Sequence, residues 1–343
     1  MSRLASAADP MRRCNAANRL PESITVTIPA RLHLGFLDLN GGLGRRFGSA
    51  GLAISGLRTK IAFHRAAKNH VTGPERERVM RHVDKMVERL ALGDGHAVDV
   101  LEVVPSHAGL GSGTQLALAV AAGIRRLHGL PLDIEADAIH LGRGARSGVG
   151  IGLFHRGGLV VDGGCANGKA PAPVVSHIRF PDRWRVIVAL DPAYRGIHGA
   201  DEVAAFGRLP AFPEDDAARL CRLVIMKMLP AVAEEDIASF GAAVTEIQSC
   251  LGNYFATAQG GSPFTSPDVA AVLAALDREG ACGIGQSSWG PTGFAFAATP
   301  EEAQRLAAIA RRHPRSRGLD IRVCAGFNRA AEIAVDRPSD SAE

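Results

Sequence analysis

The chain has 343 residues, of which 46% are hydrophobic and 22% charged, and its net charge is +4 at pH 7. This length accommodates a sizeable core and two domains. No apolar run is long enough for a membrane-spanning helix, and no basic block alternates with aromatic residues, so neither a membrane nor nucleic acid is an expected partner. The six cysteines form no CxxC pair, which argues against a zinc or redox motif and is typical of a cytoplasmic protein.

The first half of the chain alternates predicted strands and helices. Residues 1–22 contain arginines but no apolar core of a signal peptide, so we expect a flexible tail. The apolar patterns predict strands at 24–29, 58–65, 96–104 and 157–164, a Gly-rich loop at 35–51, and helices at 75–92, 116–125 and 135–142.

Helices dominate the second half. A buried strand is predicted at 184–190, followed by helices at 201–208, 215–228, 235–250, 267–279 and 300–312, and by strands at 293–297 and 320–324. This mixture favours an α+β fold over a repeating βα unit. We place a domain boundary near Phe180, which gives an N-terminal phosphate-binding domain at 23–180, a C-terminal domain at 181–336 and a tail at 337–343.

The most informative stretch is PSHAGLGSGTQ, residues 105–115, which leads from a predicted strand into an Ala- and Leu-rich helix. Unpaired N–H groups and the positive end of the helix dipole make such a junction an anion site, most often for phosphate. It lacks the lysine of a Walker loop and the third glycine of a dinucleotide fingerprint, so a plain Gly-rich turn is the alternative. The predicted phosphate-binding residues are Gly109, Leu110, Gly111, Ser112, Gly113, Thr114 and Gln115.

Three segments, in order along the chain, resemble the motifs of the GHMP kinase superfamily. They are Ile28–Phe36, the 105–115 loop and Gly283–Thr292. Within that superfamily, the stretches 30–40, 44–49 and 146–152 resemble the β-ribofuranosylaminobenzene 5′-phosphate synthases. The resemblance implies two domains with the active site between them, the first ribosomal-S5-domain-2-like and the second ferredoxin-like.

The resemblance also implies an activity. Members of this family transfer the phosphoribosyl group of phosphoribosyl pyrophosphate to a ring carbon of 4-aminobenzoate, releasing CO2 and pyrophosphate, in methanopterin biosynthesis. No organic cofactor is implied. Mg²⁺ is expected because charge develops on the departing pyrophosphate. The resemblance leaves a homodimer open.

One departure from the kinases supports this activity. Residues 147–150 read SGVG where kinases of the superfamily often have SGVD, and a glycine cannot take a proton from an attacking hydroxyl. A small-molecule kinase using ATP is the alternative activity, and a non-catalytic sensor of a phosphorylated ligand is a third.

Arginines in or beside these motifs are candidate anion ligands, because a guanidinium binds phosphate or carboxylate bidentately. We predict Arg31 at the catalytic centre and Arg46 and Arg146 as phosphate ligands. Arg143 and Arg156 fit a solvated surface at least as well.

The remaining predicted contacts are polar or aromatic. They are His33, Asp38 and Glu202 at the catalytic centre, and Arg195, His198, Ser287, Ser288 and Trp289 as further substrate contacts. His33 also fits a satisfied core histidine, and Asp38 could instead cap a turn with Asn40. Trp289 could cover an aromatic ring or lie buried in an irregular turn.

Overall fold

The computed structural model describes residues 20–166, 170–197 and 199–336. The strands are β1 (Ser23–Asp38), β2 (Phe47–Ala66), β3 (His70–Thr72), β4 (Gly95–Glu102), β5 (Leu159–Asp162), β6 (Val174–Ile178), β7 (Arg185–Leu190), β8 (Cys282–Gln286), β9 (Gly293–Ala297), β10 (Asp320–Ala325) and β11 (Glu332–Asp336). The helices are α1 (Arg76–Arg89), α2 (Ser112–Leu127), α3 (Ile134–His140), α4 (Val149–Arg156), α5 (Gly199–Arg208), α6 (Glu214–Leu223), α7 (Leu229–Ala233), α8 (Ile237–Ala256), α9 (Pro267–Arg278) and α10 (Pro300–Arg312). A π-helical turn, Val224–Met228, joins α6 to α7, and a 3₁₀ turn, Pro314–Ser316, follows α10.

The strands form two sheets. The larger has the order β11-β1-β2-β4-β3, with β5 pairing β2 and β6 pairing β5, and the smaller has the order β10-β7-β9-β8. The last strand, β11, pairs antiparallel with β1 in the larger sheet. This arrangement confirms the predicted α+β class. Within the described ranges, no helix is both long and apolar enough to cross a membrane.

The first two strands form one long hairpin, and the predicted loop at 35–51 is therefore wrong. Antiparallel pairing continues to Asp38 opposite Phe47, which leaves only residues 39–46 as the turn. The glycines of this stretch suggested a loop, but Gly51 lies in β2, where Val149 of α4 occupies the space that a side chain would take. Glycine here reflects close packing of a helix on the sheet.

Helix α2 lies buried against β1 and β2 and is fixed to β1 at its N-terminal end. The backbone N–H of Arg31 donates to the Leu110 carbonyl at 3.2 Å. The Gln115 amide Nε2 donates to the Pro29 carbonyl at 2.6 Å. Further along the helix, Gly123 faces the ring of the fully buried Phe63. These contacts fix the direction and the depth of the α2 N-terminus relative to the sheet.

We expect Gly123→Ala to lower the free energy of unfolding by about 1–3 kcal/mol, because the added methyl group overlaps the Phe63 ring in a closed core. Helix propensity alone would change stability in the opposite direction, by up to about 1 kcal/mol. Gly207→Ala in α5 is the matched control, because no heavy atom lies within 4 Å of a Cβ built there. Urea unfolding followed by circular dichroism measures both, and a Gly123→Ala protein as stable as the control would contradict this packing.

Candidate active site

A cavity of about 470 Å³ lies where α1, β1 and several loops converge on the N-terminus of α2. Its walls come from residues 31–36 of β1, Arg78 of α1, the loop 107–114, the segment 142–147, residues 196, 197, 199 and 202, and the loop 288–290. The cavity therefore brings together segments that are distant in the sequence, and each of the three superfamily motifs contributes to it.

Ser287 joins three of these segments. Its hydroxyl accepts from the backbone N–H of His33 at 2.9 Å and donates to the carbonyl of Gly109 at 2.8 Å. A side chain at Gly290 would collide with the backbone of Ala108, so the two Gly-rich loops approach as closely as backbones can. The loop 288–290 is thereby locked onto the loop that precedes α2.

The N-terminus of α2 is surrounded by guanidinium groups. The N-cap residue, Gly111, has a φ of 79°, and a Cβ there would lie 2.6 Å from the Arg31 side chain. A Cβ at Gly113 would collide with Arg78 and would lie 3.2 Å from Nη1 of Arg143. Together with the helix dipole, these three arginines concentrate positive charge on one wall of the cavity.

Two of these arginines have buried nitrogens without an acceptor. Nε and Nη1 of Arg31 and Nε of Arg143 are shielded from solvent and have no hydrogen-bond partner among the described residues. Burial lowers the pKa of Arg31 to about 10, although Glu202 and Asp162 oppose this shift. Burial and, secondarily, the neighbouring Arg78 lower the pKa of Arg143. Because unsatisfied buried donors are costly, this wall is suited to bind an anion.

Another part of the cavity lining is aromatic. Phe36 and Trp289 line it, and the rings of Phe206 and Phe255 pack behind Trp289 with centroids at 5.4 and 4.4 Å. The guanidinium of Arg146 lies 5.6 Å from the centre of the Phe206 ring. Nη2 of Arg146 also donates to Glu202 at 2.6 Å, so this arginine, unlike Arg31, has a carboxylate partner.

His33 lines the cavity and is close to both Arg31 and Phe36. It is 3% exposed, and its ring lies 4.6 Å from the ring of Phe36. Its Nε2 has no hydrogen-bond partner among the described residues. Burial, and to a lesser degree the positive charge of Arg31, holds the pKa of His33 well below its usual 6.5. The imidazole is therefore neutral at physiological pH.

A carboxylate from another part of the chain lies next to Ser147 of the SGVG stretch. Asp162 of β5 is fully buried, and its Oδ2 accepts from Ser49 at 2.6 Å and from the Ser147 hydroxyl at 3.3 Å. The backbone N–H groups of Gly148 and Gly164 also donate to it. Burial raises the pKa of Asp162, and the hydrogen bonds oppose that shift. An acid therefore lies near Ser147 although the SGVG stretch contains none, but groups within the protein occupy both oxygens of Asp162.

Most of the predicted site residues line this cavity. They are Arg31, His33, Gly109, Gly111, Ser112, Gly113, Thr114, Arg146, Glu202, Ser288 and Trp289. Arg143 lines it too, whereas Arg156 does not.

Three predicted contacts lie behind the cavity wall. Leu110 is fully buried, Gln115 donates to the Pro29 carbonyl, and Ser287 joins β1 to the 105–115 loop. Backbone packing of the loop against β1 turns these side chains away from the cavity, so their role is to hold its shape.

Other predicted contacts lie outside the cavity lining. Oδ1 of Asp38 accepts from the backbone N–H groups of Asn40 and Gly41, which is the turn-capping alternative. Nε of the exposed Arg46 donates to the Leu39 carbonyl at 2.9 Å. Asp38 is the last residue of β1 and Arg46 ends the hairpin turn that follows, so strand pairing places both outside the cavity lining. Arg195 is exposed. His198 lies outside the described residues.

Residues that sequence patterns did not single out complete the site. Arg78 belongs to an amphipathic helix and resembles any solvated helix arginine, while Phe36 resembles any core residue of a strand. His107 also lines the cavity, and its φ of 60°, like the 57° of the predicted Ser288, is a strained conformation for a residue with a side chain. Such strain is typical of functional loops, but no sequence signal for it exists at a non-glycine residue.

Solved structures with the same fold come from enzymes of several activities. Mevalonate pyrophosphate decarboxylase from Streptococcus pyogenes superimposes with a TM-score of 0.65 and 15% identity, covering 90% of this chain and 98% of that one. Homoserine kinase from Cytophaga hutchinsonii gives a TM-score of 0.63 and 17% identity, covering 92% and 99%. At this identity the likeness establishes the fold alone.

Sequence comparison is more specific. Residues 77–154 match the GHMP kinases N terminal domain, and residues 228–316 match the GHMP kinases C terminal family. The beta-ribofuranosylphenol 5'-phosphate synthase of Archaeoglobus fulgidus is 34% identical over 323 residues, 90% of this chain and 98% of that protein. The protein of the same name from Methanothermobacter thermautotrophicus is 31% identical, over 83% and 91%. The chain therefore belongs to the beta-ribofuranosylphenol 5'-phosphate synthase family within the GHMP kinase superfamily.

Proposed function

We propose that this enzyme transfers the phosphoribosyl group of 5-phosphoribosyl 1-pyrophosphate to the ring carbon of a para-substituted benzoate, releasing CO2 and pyrophosphate, in methanopterin biosynthesis. One observation carries the proposal. A single cavity joins a wall of buried guanidinium nitrogens without acceptors to an aromatic wall. A kinase substrate with an aliphatic alcohol would leave the aromatic wall without a function.

The cationic wall fits the diphosphate group of the sugar substrate. Arg31, Arg78 and Arg143 lie around Gly111 and Gly113, where the start of α2 lines the cavity. Charge accumulates on the diphosphate as its bond to the ribose C1 breaks. Fixed donors aimed at that charge stabilise the transition state more than the ground state.

The aromatic wall fits the acceptor. As the diphosphate leaves C1, the ring carbon that bears the carboxylate attacks C1, and the para heteroatom supplies electron density. The bond to the carboxylate then breaks, its electron pair restores the aromatic ring, and CO2 departs. Atoms and charge balance without net proton transfer, so the glycine at position 150 is no obstacle.

Two acceptors of this class fit the reaction. The sequence resemblance implies 4-aminobenzoate, whereas the names of the related synthases describe a phenol product. A phenol follows from 4-hydroxybenzoate by the same steps, with a hydroxyl in place of the amine. We propose that the enzyme uses a para-substituted benzoate of one of these two kinds.

The cavity also contains donors suited to Mg²⁺. Glu202 is the carboxylate among the described residues of the lining, and the hydroxyl-bearing Ser112 and Thr114 line the same cavity. Mg²⁺ binds through one or two carboxylates together with substrate phosphates, so these residues fit it. We propose that Glu202 would hold Mg²⁺ with the diphosphate, where the ion would neutralise charge on the leaving group.

A kinase reaction is less well supported. Any side chain at Gly150 would lie within 2.8 Å of the Thr114 methyl group, so the site leaves little room for the aspartate that kinases often have there. The nearby Asp162 already accepts from Ser49, Ser147 and two backbone N–H groups.

The proposed reaction predicts equal release of CO2 and pyrophosphate. We expect both products when the protein is incubated with Mg²⁺, phosphoribosyl pyrophosphate and carboxyl-labelled 4-hydroxybenzoate or 4-aminobenzoate. Scintillation counting of trapped CO2 and enzymatic detection of pyrophosphate measure the two yields. Phosphorylation of an alcohol by ATP, without release of CO2 from either benzoate, would refute the proposal.

Loss of one guanidinium from the cationic wall tests the proposed diphosphate site. Arg143→Met should weaken pyrophosphate binding about 10- to 100-fold, because a charged hydrogen bond contributes about 1.5–3 kcal/mol and about 1.4 kcal/mol is tenfold in affinity. Arg126→Met is the matched control, since Arg126 is exposed in the last turn of α2, at the end remote from the cavity. Isothermal titration calorimetry at fixed ionic strength measures both. Equal affinity in the two folded variants would remove Arg143 from the site.

A further inference from the structure

The aromatic side of the cavity contains two buried polar atoms that the proposed sugar chemistry does not use. We propose that His33 and Trp289 together recognise the para substituent of the aromatic acceptor, an inference that rests on the proposed function. The pair would hold the substituted end of the ring and direct the carboxylate-bearing carbon towards the ribose C1.

Both side chains are nearly inaccessible to solvent and unsatisfied. His33 and Trp289 are each 3% exposed, and neither His33 Nε2 nor Trp289 Nε1 has a hydrogen-bond partner among the described residues. Both line the main cavity, and both also line a cavity of about 30 Å³ adjacent to it. A buried donor and a buried acceptor without partners are costly unless a ligand satisfies them.

The rings that carry these atoms are held in place by other aromatic rings. His33 packs on Phe36 with ring centroids 4.6 Å apart, and Trp289 packs on Phe255 and Phe206. His33 is also held through its backbone by Ser287. The two polar atoms are therefore preorganised, which lowers the entropy lost when a ligand binds.

The chemistry of the pair favours a hydroxyl over an amine. The Trp289 Nε1–H can only donate, and a neutral imidazole can accept through one ring nitrogen. A phenolic hydroxyl donates one hydrogen bond and accepts another, which matches both atoms. An arylamine offers two donors, and its lone pair is delocalised into the ring, so Trp289 would lack a good acceptor.

The same pair can assist the reaction. As the ring carbon bonds to the ribose C1, the hydroxyl proton passes to His33 Nε2, and the oxygen becomes a carbonyl that accepts from Trp289 Nε1–H. When the bond to the carboxylate breaks, its electrons return to the ring and the oxygen recovers the proton from His33. The positive charge of Arg31 disfavours a protonated His33. An anionic substrate beside Arg31 offsets that charge and so favours the proton transfer.

Substitution of each partner tests the recognition. Trp289→Phe keeps a ring but removes the N–H, and should raise KM for 4-hydroxybenzoate about tenfold while leaving KM for phosphoribosyl pyrophosphate unchanged. It should also reduce the preference, in kcat/KM, for 4-hydroxybenzoate over 4-aminobenzoate. His33→Phe should lower kcat, and His33→Gln, which retains an acceptor oxygen, should recover part of that loss.

The second tryptophan provides the matched control. Trp184 is fully buried in the C-terminal half and its Nε1 also lacks a partner, but it lies outside the cavity lining. Trp184→Phe should leave both KM values and the acceptor preference unchanged. In that variant Trp289 is the remaining tryptophan, so its fluorescence should respond to 4-hydroxybenzoate added with pyrophosphate.

Failure of this inference differs from failure of the proposed function. Release of CO2 with an unchanged acceptor preference in Trp289→Phe, and with no fluorescence response, would overturn the inference and leave the reaction intact. A saturable fluorescence response without CO2 release from either benzoate would support the acceptor site and overturn the reaction.

Discussion

Positive charge gathered at the N-terminus of α2 is the feature on which the rest of the site depends. Arg31, Arg78 and Arg143 surround the first turn of this helix, and buried nitrogens of Arg31 and Arg143 have no acceptor among the described residues. Such an arrangement is unfavourable without an anion, because desolvation and mutual repulsion both disfavour the charged forms. The scaffold tolerates it because β1, the loop before α2 and the 288–290 loop are joined by backbone contacts and by Ser287.

One group near the α2 N-terminus differs from the motif of the superfamily's kinases. Gly150, at the position where those kinases often have an aspartate, lies in α4 against Thr114. Asp162 holds the N-terminal end of α4 through Ser147 and Gly148. Another part of the cavity lining is aromatic. A site of this kind suits charge that leaves on a diphosphate and an acceptor that reacts through a ring carbon.

Local sequence signals predicted the Gly-rich loop and the helix that follows it, because both are encoded by neighbouring residues. The length of the hairpin turn was harder to predict. The glycines of residues 35–51 are typical of a loop, and only the packing of a helix on the strand explains why some of them lie in β2. Asp38 and Arg46 belong to motifs that resemble the synthases, but strand pairing places both outside the cavity lining. Arg78 and Phe36 reach the site only through tertiary packing, which no local pattern records.

The most direct test of the account is the identity of the bond that the enzyme makes. Carbon-13 can be placed at the ribose C1 of the sugar pyrophosphate and at the carboxylate-bearing ring carbon of 4-hydroxybenzoate or 4-aminobenzoate. Nuclear magnetic resonance of the product should then show a one-bond carbon–carbon coupling between the two labels, in a molecule that has lost the carboxylate. A product in which C1 is bonded to oxygen or nitrogen, with the carboxylate retained, would contradict the account.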